Sequence, residues 1–479
     1  MKKFFLVLIV AALTLAVAAP ALAGLKLTSK GRMDVTSIYM SGNAYNRFWV
    51  EDDRHKSGKK VGYFQQELVI DPTLHVNEKV KIHGRFTIME RTWAGGDGDD
   101  WDANMQGSGA NFNYRGAHNF WVERLWMSFP LFGGTLRVGR MPGGSWAFPW
   151  QNWDWNRDRI LYLRSFGPIV LIGVYEKNFE GDDTVLFPGS RNQGRVQSPQ
   201  SRGPLLEGPF DQGHSDWDSY ALGAVVPFSR NIIWRPLLYY RNWEWFPTNP
   251  KAHGYLFLTS QALMVKAGIF KMDLEVNWWN VCVTKYVYDG DEWHDWQANQ
   301  FAAWGEAGVH PGPFSIIFGA FYLQGARKDA DIYPWHNRSI SATGGEFQPT
   351  LLLWSEDMGL VWNSTGVNNG TTGASGWLGI YLRGAYKIND TMTLTGIIHQ
   401  LWTDTMYSGT KMDNTGARVY TRSQNYGMEA NVGFEWKFMD NLKYVFELAY
   451  LWSGPAIDGW NDVPSNNVLG MRNMLVIEW

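Results

Sequence analysis

The feature that most restricts the fold of this chain is an alternation of apolar and polar residues at every second position. From residue 426 to residue 438, apolar residues such as Met428 and Phe434 would lie on one face of a strand. Glu429 and Asn431 would lie on the other face. Because successive side chains of a strand point to opposite sides, each such segment must place one face against an apolar phase and the other against water. The same period recurs in three further segments, 80–91, 270–278 and 442–452.

The composition indicates which apolar phase these faces meet. Soluble antiparallel sandwiches also alternate, but here the apolar face is formed almost entirely by aliphatic and aromatic residues in one strand after another. The chain contains 27 Trp, 21 Tyr and 26 Phe among 479 residues, and aromatic residues at this density suit two girdles at the boundaries of a membrane. Apart from the N-terminal segment, no run of about 18 apolar residues is present for a helical span. The sequence therefore predicts an all-β fold, a transmembrane antiparallel β-barrel.

The number of strands follows from the connections between them. Eight short turn-like segments alternate with nine longer polar segments along the chain. This alternation predicts eighteen strands and places both termini on the periplasmic side, with the short turns. Sixteen strands remain an alternative, because residues 165–178 are weakly patterned and residues 327–374 could contain further structure. The longer segments are 41–61, 94–118, 141–157, 178–216, 246–252, 285–300, 327–374, 406–423 and 453–467.

Both ends of the chain fit an exported barrel. Residues 1–23 have the parts of a secretory signal peptide: a start with two lysines, an apolar run from 4 to 17, and the cleavage motif Ala21-Leu22-Ala23. A membrane anchor is the alternative, but the apolar run is short for a span of about 20 residues. Residues 24–479 then form the barrel domain, whose last strand alternates up to Trp479. We therefore predict export through the periplasm and a location in the outer membrane of a Gram-negative bacterium.

Charge, cysteine content and motifs argue against several other classes of protein. The formal net charge of −3 argues against a nucleic-acid partner. Cys282 is the only cysteine, so the chain cannot form an internal disulfide. Acidic clusters such as 97–102 lack the spacing of an EF-hand, and His294, His336 and His399 belong to no catalytic or zinc motif. We therefore predict no enzyme activity, no metal site and no cofactor.

One segment carries the residues best suited to a functional site. The sequence from Thr135 to Asp158 runs from a strand into two Gly and two Pro, and then into four Trp within ten residues. The indole faces could stack on sugar rings, or they could pack the loop against the barrel wall, and both interpretations remain open. The charged residues beside them are suited to filter solutes at a constriction. The tryptophans are Trp146, Trp150, Trp153 and Trp155, and the charged residues are Asp154, Arg157, Asp158 and Arg159.

The strands before this segment carry a resemblance to a known family. Phe120-Trp121-Val122-Glu123, the pair Gly133-Gly134 and the run Leu136-Arg137-Val138-Gly139-Arg140 form a strand, a short Gly turn and a strand with a basic end. In these residues the chain resembles Gram-negative outer-membrane porins, including alginate-export-like channels. The resemblance implies a water-filled barrel whose third long loop folds inward and sets the constriction. In this chain that loop is 141–158.

Alternation also assigns polar residues to the lumen, and basic residues are concentrated in the first third of the chain. This distribution favours anionic or polar solutes, although neighbouring acidic residues could neutralise it. We predict a porin for passive diffusion of small hydrophilic solutes, anions or sugars, which are selected by width and charge. The predicted lumen and constriction residues are Arg85, Arg91, Arg124, Arg137, Arg140, Asp154, Arg157, Asp158 and Arg159.

The expected surroundings and the alternative function follow from this architecture. Outer-membrane lipid and lipopolysaccharide would surround the barrel, and a homotrimer is one assembly that the resemblance allows. The alternative is a sheath or scaffold for a partner protein, in an electron-transfer or adhesion assembly. A sheath predicts an open bore with the third loop folded outward, whereas a porin predicts steady conductance through the chain alone.

Overall fold

A computed structural model shows one antiparallel sheet of eighteen strands. The structure describes residues 25–41, 60–93, 120–151, 155–180, 216–243, 253–289, 292–325, 347–353, 376–404, 423–458 and 467–479. The predicted signal peptide, residues 1–23, lies outside the described residues. The strands are β1 (Lys26–Ser41), β2 (Lys60–His75), β3 (Lys81–Trp93), β4 (Phe120–Leu131), β5 (Gly134–Gly143), β6 (Trp155–Phe166), β7 (Ile169–Glu180), β8 (Asp216–Ser229), β9 (Ile232–Trp243), β10 (His253–Ala267), β11 (Phe270–Asp289), β12 (Glu292–Val309), β13 (Phe314–Leu323), β14 (Trp377–Lys387), β15 (Met392–Trp402), β16 (Asn425–Met439), β17 (Leu442–Ser453) and β18 (Val468–Glu478).

The sheet closes on itself where its first and last strands meet. Every strand pairs with its neighbours in sequence, and β1 also pairs with β18, with Met33 opposite Ile477. Beyond β18, the amide of Trp479 donates to the carbonyl of Gly31 (3.0 Å), and the amide of Gly31 donates to the carbonyl of Trp479 (3.1 Å). The Trp479 indole fills the space that a Cβ atom at residue 31 would need, which explains the glycine. Closure leaves no sheet edge and confirms the predicted eighteen-stranded antiparallel barrel.

Short turns join the strands in pairs at one end of the barrel, which we call the turn end. Phe132 and Gly133, between β4 and β5, both have positive φ angles (47° and 77°), as a two-residue hairpin turn of type I′ requires. The predicted positions of all eight short turns agree with the strand bounds. Lys26 at the start of β1 and Glu478 at the end of β18 also lie at the turn end. The strand ends that the longer connections join lie at the opposite end, which we call the loop end.

One predicted loop is a pair of strands instead. Residues 285–300 were expected to form a long polar loop, but β11 continues to Asp289 and pairs there with Glu292, the first residue of β12. The cause is visible in the sequence, because Val283, Tyr286 and Val287 are β-branched or aromatic residues that favour extended backbone. The acidic residues nearby were therefore a poor guide to the end of the strand.

Most of the outer face of the wall is apolar, and it carries aromatic residues near both ends. Phe318, midway along β13, is 53% exposed on this face. Phe314 stacks on Tyr386 near the turn end, with ring centroids 4.7 Å apart. Phe64 stacks on Trp93 near the loop end, at 5.5 Å. An apolar belt between two aromatic girdles is the outer surface of a barrel that spans a membrane.

The inner face is packed at the loop end rather than hollow throughout. Apolar side chains of the inner wall, such as Trp377 and Leu401, are buried there. The short helix α1 (Pro455–Asp458) packs against β16 in the same region, with Ala456 fully buried. No helix within the described ranges is long and apolar enough to cross a membrane. The core of the molecule therefore lies inside the barrel, where loop segments meet the wall.

Candidate functional site

The first feature of the lumen is an infolded loop, residues 144–151, which we call the inner loop. It is the described part of the connection between β5 and β6, and it lies inside the barrel with Trp150 fully buried. Trp150 contacts Phe321 on β13, with ring centroids 5.1 Å apart. In a ring of eighteen strands, β5 and β13 are eight strands apart. The inner loop therefore reaches nearly the opposite side of the lumen from the strand at which it begins.

Aromatic side chains attach the inner loop to the wall at successive strands. The Trp146 indole lies against Gly223 on β8 and fills the space that a Cβ atom at residue 223 would need. Its Nε1 atom donates to the carbonyl of Arg235 on β9 (3.2 Å). Phe148 packs against Trp304 on β12, with centroids 5.1 Å apart. These contacts fix the position of the loop by burial of aromatic surface.

A second segment, residues 347–353, also lies inside the barrel, and we call it the inner segment. It belongs to the long connection between β13 and β14. Phe347 meets Trp150 edge to face at 4.8 Å and packs on Phe321 at 5.1 Å. Leu352 and Leu353 are fully buried. The inner loop and the inner segment thus form one apolar contact against the same part of the wall.

Two buried carboxylates on the wall hold these segments by their backbones. Glu429 on β16 accepts hydrogen bonds from the amides of Leu352 (2.8 Å) and Leu353 (2.6 Å). Glu275 on β11 accepts hydrogen bonds from the amide of Phe148 and from Nδ2 of Asn277 (2.7 Å). Bonds from amides to a carboxylate are stronger than neutral ones, and burial increases the cost of losing them. We call Glu275 and Glu429 the two anchors.

The Glu429→Gln variant is expected to loosen the inner segment. A glutamine side chain presents one acceptor oxygen and one amide nitrogen, so one of the two backbone amides loses its acceptor. We expect a loss of about 1–3 kcal/mol of unfolding free energy and additional conductance levels in single-channel records. Glu435→Gln, on the same inward-facing side of β16 but nearer the turn end, is the matched control. Unaltered stability and unaltered records for Glu429→Gln would contradict the anchor role.

Arginines at the base of the inner loop are bonded into the wall. Arg159 forms an ion pair with Glu176 on β7 and donates to the carbonyl of Pro142 (2.9 Å). The side chains of Arg157 and Arg159 both lie against Gly143, where the loop begins. Arg241 on β9 donates to the hydroxyl of Tyr239 (2.6 Å). These arginines face the lumen, and their bonds support the departure of the loop from the wall.

Part of the inner wall near the turn end forms an open groove, which we call the basic groove. It runs across β3, β4 and β5, and its wall includes Lys81, His83, Trp126, Ser128 and Arg137. His83 stacks on Trp126 (4.9 Å between centroids) and shares a hydrogen bond with Ser128 (2.9 Å). The side chain of Arg137 is exposed to the lumen. The groove therefore presents cationic groups to water on a rigid aromatic and hydroxyl surface.

Two other lumen arginines are held against the wall by specific partners. Arg85 on β3 forms a two-bond pair with Asp71 on β2 (2.7 and 3.0 Å). Arg124 on β4 is buried and donates to Oδ1 of Asn156 (2.5 Å). The carboxylate of Asp71 offsets the charge of Arg85, whereas the neutral amide of Asn156 only fixes the position of the buried Arg124. The positive charge that this sector exposes to water therefore comes from the basic groove.

Apart from Trp146 and Trp150, the predicted site residues fall into three groups: those that face the lumen, those whose side chains the structure does not describe, and those on the outer face. Arg85, Arg124, Arg137, Arg157 and Arg159 face the lumen. Asp154 and Trp153 lie outside the described residues. Arg91 pairs with Gln66, and Trp155 begins β6, but only their backbones are described.

Arg140 and Asp158 form the third group, and they lie on the outer face instead of in the lumen. Arg140 is opposite Leu125, which is 55% exposed on the outer face, and Asp158 is opposite Arg140. Their side chains form an ion pair of 2.9 Å. The sequence contained the signal, because Arg140 has the same parity as Leu136 and Val138, which alternation assigns to the apolar face.

The tryptophans that the structure describes pack the inner loop. Trp150 has no exposed face, so a role in stacking on a solute does not apply to it. Trp146 is held between Gly223 and the carbonyl of Arg235. The roles of Glu275 and Glu429 were missed, because alternation assigned both to the lumen but could not show which loop amides they bind.

A closed barrel with an apolar belt, aromatic girdles and a loop folded into its lumen has the architecture of the outer-membrane porin class. Among solved structures, the chain is similar to a BenF-like porin from Pseudomonas fluorescens Pf-5, with 11% identity, 94% of this chain and 98% of that chain covered, and a TM-score of 0.49. It is also similar to the outer membrane protein opdK from Pseudomonas aeruginosa, with 10% identity, the same coverage and a TM-score of 0.48. No protein-family model and no curated protein matches the chain.

Proposed function

We propose that this chain is an outer-membrane porin, a water-filled channel for passive diffusion of small hydrophilic solutes. The observation that carries the proposal is the inner loop, which crosses the lumen from β5 to β13 and is held there by aromatic contacts and an anchor. A wall of eighteen strands encloses a bore too wide for side chains to fill. A loop fixed across that bore narrows it without removing it. In this proposal the turn end is periplasmic, and residues 1–23 are removed on export.

The route of the solute runs along the basic groove. The described contacts of the inner loop and its anchor lie on β8 to β13, and those of the inner segment on β13 and β16. The groove on β3 to β5 lies on another part of the wall, with Arg137 exposed. Charged side chains beside a narrow pore set its ion selectivity. Anions are therefore the preferred class of solute.

The geometry favours a porin over the alternative sheath, and it gives no support to sugar stacking at Trp150. A sheath for a partner protein needs an open bore with the third loop folded outward, but the inner loop and inner segment occupy the lumen at the loop end. Stacking on sugars has little support, because Trp150 is buried. We propose no catalytic activity, in agreement with the lack of catalytic motifs in the sequence.

Conductance of the purified full chain in a planar lipid bilayer tests the proposal. We expect steady openings, and a reversal potential in a salt gradient that shows greater permeability to chloride than to potassium. Maltose oligosaccharides should cause little block, because Trp150, at the centre of the inner loop, is fully buried and offers no face for stacking. A chain that inserts but does not conduct would overturn the proposal. Cation selectivity would overturn the assignment of the groove.

A further inference from the structure

The charged side chains that the structure describes on the outer face lie in one sector of the barrel. Among outward-facing strand residues whose side chains the structure describes, the charged ones are Arg140, Asp158, Arg164, Lys177 and Asp218, on β5 to β8. The described outward positions of β13, β14 and β17 are apolar throughout. This sector therefore differs from the belt that faces hydrocarbon elsewhere.

Four of these residues form a continuous row across adjacent strands. Arg140 lies opposite Asp158, Asp158 opposite Lys177, and Lys177 opposite Asp218. Their charges alternate in sign along the row. Within one barrel, Arg140 pairs with Asp158 (2.9 Å) and Lys177 pairs with Asp218 (3.4 Å). We call these four residues the charged row.

The apolar belt is shorter at β5, where the charged row begins, than at β11. On β11 the outward apolar stretch runs from Phe270 to Trp278, or ~26 Å along the strand at about 3.3 Å per residue. On β5 it runs from Gly134 to Val138 before Arg140, or ~13 Å. The outer apolar band of such barrels is about 25 Å tall. Hydrocarbon is therefore a poor neighbour for the upper half of β5 and for the adjoining positions of Asp158 on β6 and Lys177 on β7, where protein is a better one.

We propose that the charged row is the centre of an interface between two copies of this chain in the membrane. The proposal rests on the outer-membrane location proposed above. The row reads positive, negative, positive, negative from β5 to β8, and such a sequence is complementary to itself under a two-fold axis parallel to the barrel axis. Asp158 then faces Lys177 of the partner subunit, and Lys177 faces the partner's Asp158.

The geometry concentrates the contact at the middle of the row. Strands in such barrels are tilted by about 35–45°, so the rows of the two copies are inclined in opposite directions and cross at the axis. At the crossing, Asp158 on β6 and Lys177 on β7 meet the partner subunit. Arg140 and Asp218 lie further from the partner. A three-fold assembly, the form suggested by the resemblance, joins two different surfaces and does not use this self-complementarity.

Charge exchange between Asp158 and Lys177 tests the interface. In lipopolysaccharide-free detergent, we expect sedimentation to show a dimer of the wild-type chain. Asp158→Lys places like charges across the axis and should weaken dimerisation by roughly tenfold or more. The double variant Asp158→Lys/Lys177→Asp restores opposite charges between copies and should restore the dimer. Within one barrel, the double variant still places like charges beside Arg140 and Asp218, so an intramolecular role predicts no rescue.

Controls separate folding, lipid binding and channel function. Arg164→Ala removes the outward charge near the turn end, whose guanidinium lies over the Phe166 ring (4.7 Å), and should leave the dimer intact. Heat-modifiable mobility on gels reports whether each variant is folded. A wild-type monomer, a trimer, or association that requires added lipopolysaccharide would overturn the interface. A monomer that conducts overturns only this inference, and a dimer that does not conduct overturns only the porin function.

Discussion

Deletion of residues 144–151 is expected to raise the single-channel conductance by roughly twofold or more, because it removes the segment that crosses an otherwise wide bore. Gly143 and Trp155 are already paired in the sheet. The three residues 152–154 that remain can join them as a short hairpin loop. The barrel wall should therefore close as before. Conductance in a planar bilayer, with polyethylene glycols of increasing size as probes of the bore, provides the measurement.

The same deletion removes a large part of the internal core, which gives a second readout. Phe148 and Trp150 are buried between the wall and the inner segment, and loss of a buried aromatic side chain costs about 3–5 kcal/mol. We expect thermal unfolding at a lower temperature even though the barrel is intact. Trp150→Ala, which keeps the loop but removes its central contact, should give a smaller rise in conductance. Unchanged conductance in the deletion variant would show that the inner loop does not set the bore.

The barrel itself could be predicted from the sequence because its physical constraints are local. Side chains alternate between lipid and water in each strand, so segments such as 442–452 identify themselves without reference to the rest of the chain. Short turns identify themselves by Gly, Pro, Asn and Asp, which suit tight backbone. The strand number, the antiparallel order and the faces of most strands followed from these two signals. The end of β11 did not, because polar residues at 289–295 can belong to a strand that projects beyond a membrane as well as to a loop.

The interior of the barrel could be predicted only in part, because its contacts join distant parts of the chain. The resemblance to porins implied that the third long loop folds inward, and Trp150 does lie inside the barrel. That Glu429 binds amides 76 and 77 residues away is a matter of three-dimensional position, on which alternation gives no information. The outward position of Arg140 was accessible from its parity, but its closeness to the Trp-rich segment suggested a constriction.

Reversal of charge in the basic groove is expected to reverse the ion selectivity of the channel. Lys81→Glu/Arg137→Glu changes the net charge of the groove by four units at positions that face water in the lumen. Because a charged side chain beside a narrow pore acts on every ion that passes, the ratio of chloride to potassium permeability should fall by roughly tenfold. The change should be smaller at high salt, since the Debye length shortens from about 10 Å at 0.1 M to about 3 Å at 1 M. Reversal potentials at both salt concentrations are the measurement.

Arg140→Glu is the matched control for the Arg137→Glu part of this reversal, because it has the same change of charge, two units, on the opposite face of the same strand. Arg140 is the next outward position after Leu136 and Val138, and its ion pair with Asp158 is on the outer face. A wall of low polarity separates it from the lumen, so single-channel selectivity should not change. If Arg140→Glu altered the selectivity as much as the groove variant, the assignment of faces on β5 would be wrong. If the groove variant had no effect on selectivity, the anions would have to pass along another part of the wall. Arg383 is an exposed lumen cation near the inner segment. Its charge would be the next one to reverse.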